Sequence, residues 1–294
     1  MWFLYALIST FSWGTADLFY KKGNKPGDSN SHLKTVIMVG LVMGLHAFYV
    51  LATSSEPYHP IYILRYLPVS AMYILSMTIG YAGLRYIELS IASPIQNTSG
   101  AISALLTFFV LGQRMGRLQF AAVLVISVGL VGLGILEGET EEAQEGEPVD
   151  SQYKTGLVAL ALPILYAVVD ALGTFLDGYM LSGVMTEQQA NVSYELTFLI
   201  CGVLSFLYLT FFKGEKIRLR DQKDNLLAAG FETFGQFFYV YAIALNAVVV
   251  APLISAYSMV SVLLSRIFLK EKLKGSQYFM IALIMVGIII LGME

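Results

Sequence analysis

The sequence predicts an all-α polytopic membrane protein, with ten transmembrane helices arranged as two inverted five-helix repeats. Of the 294 residues, 56% are hydrophobic and 13% are charged, and the mean hydropathy is +0.68. A water-soluble domain cannot bury that much apolar surface. Apolar stretches of about 20 residues, the length a helix needs to cross the hydrocarbon core, recur along the chain. The second half of the chain also repeats the first.

The predicted spans of the first repeat are residues 2–20, 33–53, 61–85, 89–112 and 118–136, and those of the second are 155–180, 188–212, 223–246, 248–270 and 275–293. We place the first repeat at residues 1–136 and the second at 154–294. A linker, residues 137–153, joins them and carries seven acids between Glu137 and Asp150. Because five is an odd number, the second repeat enters the membrane from the opposite face, so the repeats are inverted.

The repeat is visible in the alignment of the two halves. Pro94–Leu136 aligns without a gap on Pro252–Glu294, with 11 of 43 positions identical. The two chain starts align as well, and that register places Asp17 opposite Asp170. A doubled apolar unit with an acid at matching depth in each copy is typical of a transporter.

Several acids lie inside predicted spans, where an ionisable group costs at least ~2.5 kcal/mol at the helix centre. Among them are Asp17, Asp170, Asp177, Glu195 and Glu232. Few bases accompany them. This balance indicates either an amine-bearing substrate or carboxylates that carry protons.

Helical spacing of three or four residues places these acids beside aromatic and polar side chains. Aromatic faces attract ammonium groups by up to ~2 kcal/mol when desolvated. The predicted substrate-binding residues are Glu232, Trp13, Tyr166, Gln236, Tyr239, Tyr257, Gln96 and Ser103. The residues predicted to couple protons or to gate are Asp17, Asp170 and Glu195. No catalytic residue, metal site or cofactor is predicted.

The acids divide into two roles. Asp17 and Asp170 each fall about 14 residues into their spans, roughly two-thirds of the way through the core, so inversion places them on opposite sides of the midplane. That arrangement suits gating or proton transfer better than joint chelation of one cation. Glu232 aligns with Ile74 and has no acidic counterpart, so it is the better candidate for recognising the substrate.

Several motifs resemble the EamA type of the drug/metabolite transporter superfamily, and the resemblance covers the full chain. They are Trp13-Gly14 with Lys21-Lys22 about two turns on, Ala92-Ser-Pro94, and Leu269-Lys-Glu271-Lys-Leu273; the first repeat has Leu111-Gly-Gln113-Arg114-Met115, with glutamine in place of the family's glutamate. The resemblance implies a carrier of small organic metabolites with a central cavity lined by spans 1–4 and 6–9. It also implies alternating access, driven by protons or by exchange, and termini in the cytoplasm. The loops after odd-numbered spans hold 14 Lys and Arg residues against three after even-numbered spans, which predicts the termini outside the cytoplasm. The orientation stays open.

We therefore predict a secondary active transporter of a small amine-bearing metabolite, cationic or zwitterionic, and not an enzyme. The alternatives are an anion or neutral-metabolite carrier using Arg266 and His46, a membrane enzyme or flippase, and a non-transporting scaffold. The expected partners are a small-molecule substrate and the lipid bilayer, without nucleic acid. The chain is expected in a bacterial plasma membrane as a monomer or weak homodimer.

Overall fold

The computed structural model describes residues 1–25, 27–86, 89–143, 157–270 and 274–293. All regular structure in this part of the chain is helical, which confirms the predicted fold class at that level. The helices are α1 Trp2–Gly23, α2 Ser31–Thr53, α3 Ile61–Gly83, α4 Leu89–Gln96, α5 Ser99–Val110, α6 Arg117–Ala143, α7 Leu157–Leu181, α8 Glu187–Leu207, α9 Lys223–Ser255, α10 Tyr257–Leu264 and α11 Gly275–Gly292. Residues 144–153 of the predicted linker and residues 271–273 of the basic turn lie outside the described residues.

Five helical stretches of the described residues are long and apolar enough to cross a bilayer: Ser31–Thr53, Ile61–Gly83, Ala161–Leu181, Glu187–Phe212 and Leu219–Leu269. Shorter apolar helices cover Ser99–Val110, Arg117–Gly132 and Gly275–Leu291. The helical stretch 219–269 spans 51 residues, which is enough for two passes at 1.5 Å per residue. The chain is thus built as a membrane protein, and the number of crossings stays a prediction.

The helices pack in pairs that the repeat relates to one another. α1 packs against α9, and α3 packs against α7, which is the equivalent pair once the two repeats are exchanged. α2 packs against α8, and α6 against α11, so these two pairs map onto themselves. Such a pattern requires an approximate two-fold relation between the repeats.

The crossing of α6 and α11 shows this relation at atomic detail. A methyl group built on Gly129 would lie 2.6 Å from Ile284 Cγ1, and one built on Gly287 would lie 2.6 Å from Ile126 Cγ1. Gly129 aligns with Gly287, and Ile126 aligns with Ile284. The two contacts are therefore the same contact seen from either repeat, and the glycines are needed for the close approach.

The fourth helix of each repeat is broken at the same aligned position. In the first repeat Thr98 N donates to Ile95 O at 3.2 Å, and in the second Ala256 N donates to Leu253 O at 3.1 Å. Each is a bond to the third preceding residue, which tightens the helix locally. Gly100 permits the two breaks to cross, since a methyl group there would lie 2.7 Å from a main-chain oxygen of α9.

Three predicted boundaries differ from the structure. The span predicted at 89–112 is interrupted between α4 and α5, because the crossing at Gly100 needs a tightened turn. The sixth helix continues past residue 136 to Ala143, since the Glu- and Ala-containing sequence there favours helix. The predicted boundary near residue 247 appears as a kink at Asn246 inside α9.

Two loops that follow odd-numbered predicted spans, and so are expected on the same side of the membrane, contact each other in the structure. Lys34 forms ion pairs with Asp28 at 2.7 Å and with Glu215 at 2.8 Å, and Asn30 Nδ2 donates to Glu215 Oε1 at 2.6 Å. Hydrogen bonds from Lys34 and Asn30 hold the pKa of Glu215 below its usual value. The loop between α1 and α2 is thereby joined to the loop between α8 and α9.

Candidate functional site

A cavity lies between α1, α3, α7 and α9, next to the helix breaks at Thr98 and Ala256. Its lining comes from every predicted span that the resemblance assigned to it except the second. The cavity has a volume of about 70 Å³, which exceeds the ~10–15 Å³ needed to hold one water molecule. It is therefore a real internal space and not a packing gap.

The cavity wall is acidic. Asp17, Asp170 and Glu232 line it, and none of the described lining residues is Lys, Arg or His. Nine predicted site residues meet there: Trp13, Asp17, Gln96, Tyr166, Asp170, Glu232, Gln236, Tyr239 and Tyr257. The structure thus brings together side chains from both repeats.

Asp17 is held by two hydroxyl groups, one from each repeat. Ser93 Oγ donates to Asp17 Oδ2 at 2.9 Å, and Ser261 Oγ donates to the same atom at 2.7 Å. Gly14 makes this contact possible because a methyl group there would lie 2.5 Å from Val260 Cβ. The glycine of the Trp-Gly motif thus lets α1 approach α10.

Asp170 has a different set of hydroxyl neighbours. Ser76 Oγ donates to Asp170 Oδ1 at 3.3 Å, and Ser99 is the other hydroxyl beside it. Both aspartates face one cavity together with Glu232. The acids therefore have different hydrogen-bond environments despite the matching positions of the two aspartates.

Aromatic rings form much of the wall. The Trp13 indole lies 4.9 Å from the Tyr239 ring and 5.8 Å from the Tyr257 ring, and its Nε1 donates to Glu232 O at 3.3 Å. Gly235 leaves room for this indole, because a methyl group there would lie 2.5 Å from Trp13 Cδ1. An aromatic wall beside carboxylates favours an ammonium group.

Four tyrosines of the cavity were not predicted as site residues: Tyr20, Tyr73, Tyr81 and Tyr194. Tyr20 and Tyr81 pack with their ring centroids 4.6 Å apart, and the hydroxyls of Tyr73 and Tyr239 lie 2.5 Å apart. The i, i+4, i+8 spacing of Tyr73, Met77 and Tyr81 on α3 was a signal that could have identified two of them.

Two buried glutamine side chains that line the cavity have an amide nitrogen without a hydrogen-bond partner in the protein. Gln96 and Gln236 line it and are 6% and 2% exposed, and the Nε2 atom of each has no hydrogen-bond partner. A buried donor without an acceptor is costly. These amides can donate to an oxygen of a bound molecule.

Comparison with known proteins bears on this arrangement. The sequence matches the EamA-like transporter family over residues 1–135 and 159–293. The chain belongs to the EamA-like transporter family. It is accordingly an integral membrane transporter of the drug/metabolite type, and the matched stretches correspond to its two repeats.

The structure of this EamA-like transporter is also similar to a solved structure that is described only as "Crystal structure of protein". The similarity covers 99% of this chain and 96% of the other, with a TM-score of 0.68 at 15% sequence identity. At that identity the likeness shows the fold alone. No curated protein matches the chain.

Two predicted site residues of the EamA-like transporter lie away from the cavity wall. Ser103 on α5 is buried and its Oγ has no hydrogen-bond partner. Glu195 on α8 is fully buried; one carboxylate oxygen contacts His46 Nδ1 at 2.7 Å and accepts from Asn191 Nδ2 at 3.0 Å. Helical spacing alone did not reveal that these faces turn away from the cavity.

The bases of the alternative anion site are also outside the cavity. His46 is paired with Glu195 between α2 and α8. Arg266 lies in the one-turn π-helix Ser265–Leu269 that follows α10. Neither lines the cavity of the EamA-like transporter.

Proposed function

We propose that this transporter moves a small amine-bearing organic metabolite, cationic or zwitterionic, by alternating access as a secondary active carrier. The observation that carries the proposal is the charge of the cavity: three carboxyl groups and no base among its described lining residues. Eight aromatic rings surround those carboxyls. An ammonium group satisfies both features, through ion pairing and through cation–π attraction.

Each acid has a distinct part in this proposal. Glu232 recognises the substrate's ammonium group because it lacks an acidic counterpart in the first repeat. Asp17 and Asp170 occupy matching positions and serve gating or proton transfer between the two sides. Glu195 is a second proton-coupling or gating candidate, and its location in the α2–α8 interface means it would act on helix packing.

The arrangement in the membrane belongs to the same proposal. The chain crosses a bacterial plasma membrane ten times, as two inverted five-helix repeats at residues 1–136 and 154–294. The short helices and the 51-residue stretch 219–269 support this number. Coupling is to protons or to exchange, and the protein acts as a monomer or weak homodimer.

Amine transport is tested by flux in proteoliposomes across a panel of organic amines, amino acids and anionic sugars. We expect uptake of amines and not of anions. Removing a charged hydrogen bond costs about 1.5–3 kcal/mol, so Glu232→Gln should weaken amine binding by roughly 10- to 150-fold. Glu215→Gln is the matched control, because Glu215 lies outside the cavity.

The opposite result is also clear. If anions are transported, and if Asp17→Asn, Asp170→Asn and Glu232→Gln leave that transport unchanged, then the cavity acids do not recognise the substrate. The carrier would then be one for anions or neutral metabolites.

A further inference from the structure

The two serines that align between the repeats differ in their bonding. Ser261 on α10 donates to Asp17 Oδ2 at 2.7 Å. Ser103 on α5 aligns with Ser261, and the two are identical residues in the gapless alignment. Ser103 Oγ is buried and has no hydrogen-bond partner.

The partner that Ser103 lacks is indicated by the repeat relation. Exchanging the repeats maps Ser261 onto Ser103 and Asp17 onto Asp170. It also maps the contact between α10 and α1 onto the contact between α5 and α7, and both helix pairs are packed in the structure. The bond equivalent to Ser261–Asp17 is therefore Ser103–Asp170, which is absent.

Other contacts of the two repeats do follow the relation. The helix breaks at Thr98 and Ala256 have the same bonding, and the Gly129 and Gly287 contacts are equivalent. Asp170 accepts from Ser76 at 3.3 Å and lies beside Ser99, whereas Asp17 accepts from Ser93 at 2.9 Å and from Ser261 at 2.7 Å. The two aspartates thus have different hydroxyl partners, and Asp170 lacks the one that the repeat relation predicts.

We propose that Ser261 and Ser103 are alternating latches: Ser261 holds Asp17 in the conformation described here, and Ser103 holds Asp170 when the cavity opens to the other side. The proposal deepens the proposed function, since it assigns gating residues to alternating access. A protein built from two inverted repeats has two equivalent asymmetric conformations, one open to each side of the membrane. A hydroxyl that is buried without a partner in one conformation is explained if it forms a hydrogen bond in the other.

The latches differ from the rest of the serines around the acids. Ser93 also bonds Asp17, but the position aligned with it is Ala251, so that bond has no counterpart. Ser265, one turn beyond Ser261, is buried and bonds only the Val262 main-chain oxygen at 2.8 Å. Ser265→Ala is therefore a matched control that removes a buried hydroxyl without touching an aspartate.

The test measures from which side of the membrane the cavity is open. Cys201 is replaced by serine, and a single reporter thiol is placed in the cavity wall by Ala251→Cys. The rate of labelling by an impermeant thiol reagent is then compared in right-side-out and inside-out vesicles. No substrate is needed for this measurement.

The two latch variants should move the ratio of labelling rates in opposite directions. Each lost bond to a carboxylate should change the ratio by roughly tenfold: Ser261→Ala away from the conformation described here, Ser103→Ala toward it. Ser265→Ala should leave the ratio unchanged. Ser103→Ala should also fold normally, because its hydroxyl has no partner to lose.

Several results would overturn the latches. Shifts in the same direction, or a Ser103→Ala ratio equal to that of Ser265→Ala, would show that Ser103 has no partner in the other conformation. Opposite shifts without amine flux would instead leave the latches standing while the substrate assignment fails. Amine flux with no shift in the labelling ratio would support the substrate assignment and overturn the latches.

Discussion

The crossing of α6 and α11 offers the most exact test of the two-fold relation. Gly129→Ala and Gly287→Ala each place a methyl group 2.6 Å from an isoleucine Cγ1, whereas carbon atoms prefer about 3.5–4.0 Å. Both sites also crowd a main-chain oxygen, at 3.2 Å for Gly129 and 3.0 Å for Gly287. Cγ1 of a β-branched isoleucine and a main-chain oxygen of a helix cannot move away without moving the helix that carries them, so the two helices must separate.

The magnitude follows from a matched comparison. Gly230 lies on an exposed face of α9 with nothing within 4 Å of a built methyl group, so Gly230→Ala reports only the helix-propensity gain of up to about 1 kcal/mol. Overpacking costs about 1–3 kcal/mol. Gly129→Ala and Gly287→Ala should each be less stable than Gly230→Ala by that amount, and by similar amounts to one another.

The assay is unfolding of the purified variants in detergent, followed by tryptophan fluorescence and near-UV circular dichroism. The double variant should lose less than the sum of the single losses, because both methyl groups separate the same pair of helices. The reasoning would be refuted if one glycine tolerated alanine as well as Gly230 and the other did not, since equivalent contacts must respond alike.

Three further predictions concern other contacts. Thr186 caps α8 and accepts from Gln189 N at 3.2 Å in a capping box, so Thr186→Ala should lower the unfolding free energy by about 1 kcal/mol; an unchanged denaturation midpoint would contradict this. The pKa of Glu215 is lower in the folded protein than its ordinary value of 4.5 because of hydrogen bonds led by that from Lys34. Its stabilising contribution is therefore complete above pH 4.5 and is lost as pH falls through the folded value, so wild type should lose stability relative to Glu215→Gln in acid, and parallel stability curves would contradict the interaction. Gly14→Ala should separate α1 from α10 and weaken amine binding at unchanged expression, as measured by ligand titration; full retention of affinity would show that the close approach is dispensable.

The repeat and much of the cavity could be predicted from the sequence. Trp13 and Asp17 lie one turn apart on α1, and Glu232, Gln236 and Tyr239 share one face of α9, so helical spacing placed them on common stripes. Because a charged group in a membrane span avoids lipid, each stripe with an acid had to face the interior. All five residues line the cavity.

The positions of the other side chains depend on contacts between helices, which the spacing along a single helix does not predict. Ser103 lies on the same stripe as Gln96, but the break between α4 and α5 turns it away from the cavity. Glu195 finds a histidine from α2 across an interface that sequence spacing does not encode. Tyr20 and Tyr194 were missed because their helices carried no pattern that distinguished a cavity tyrosine from a packed one.

Titration of an amine against the fluorescence of Trp13 measures directly whether the acidic cavity binds an ammonium group. The chain has two tryptophans, Trp2 and Trp13, so in a Trp2→Phe variant the fluorescence comes from the cavity wall alone. We predict a saturable fluorescence change on titration with organic amines, which Glu232→Gln weakens by at least tenfold and Glu215→Gln leaves intact. A change produced by anions and not by amines, or one indifferent to Glu232→Gln, would contradict the account.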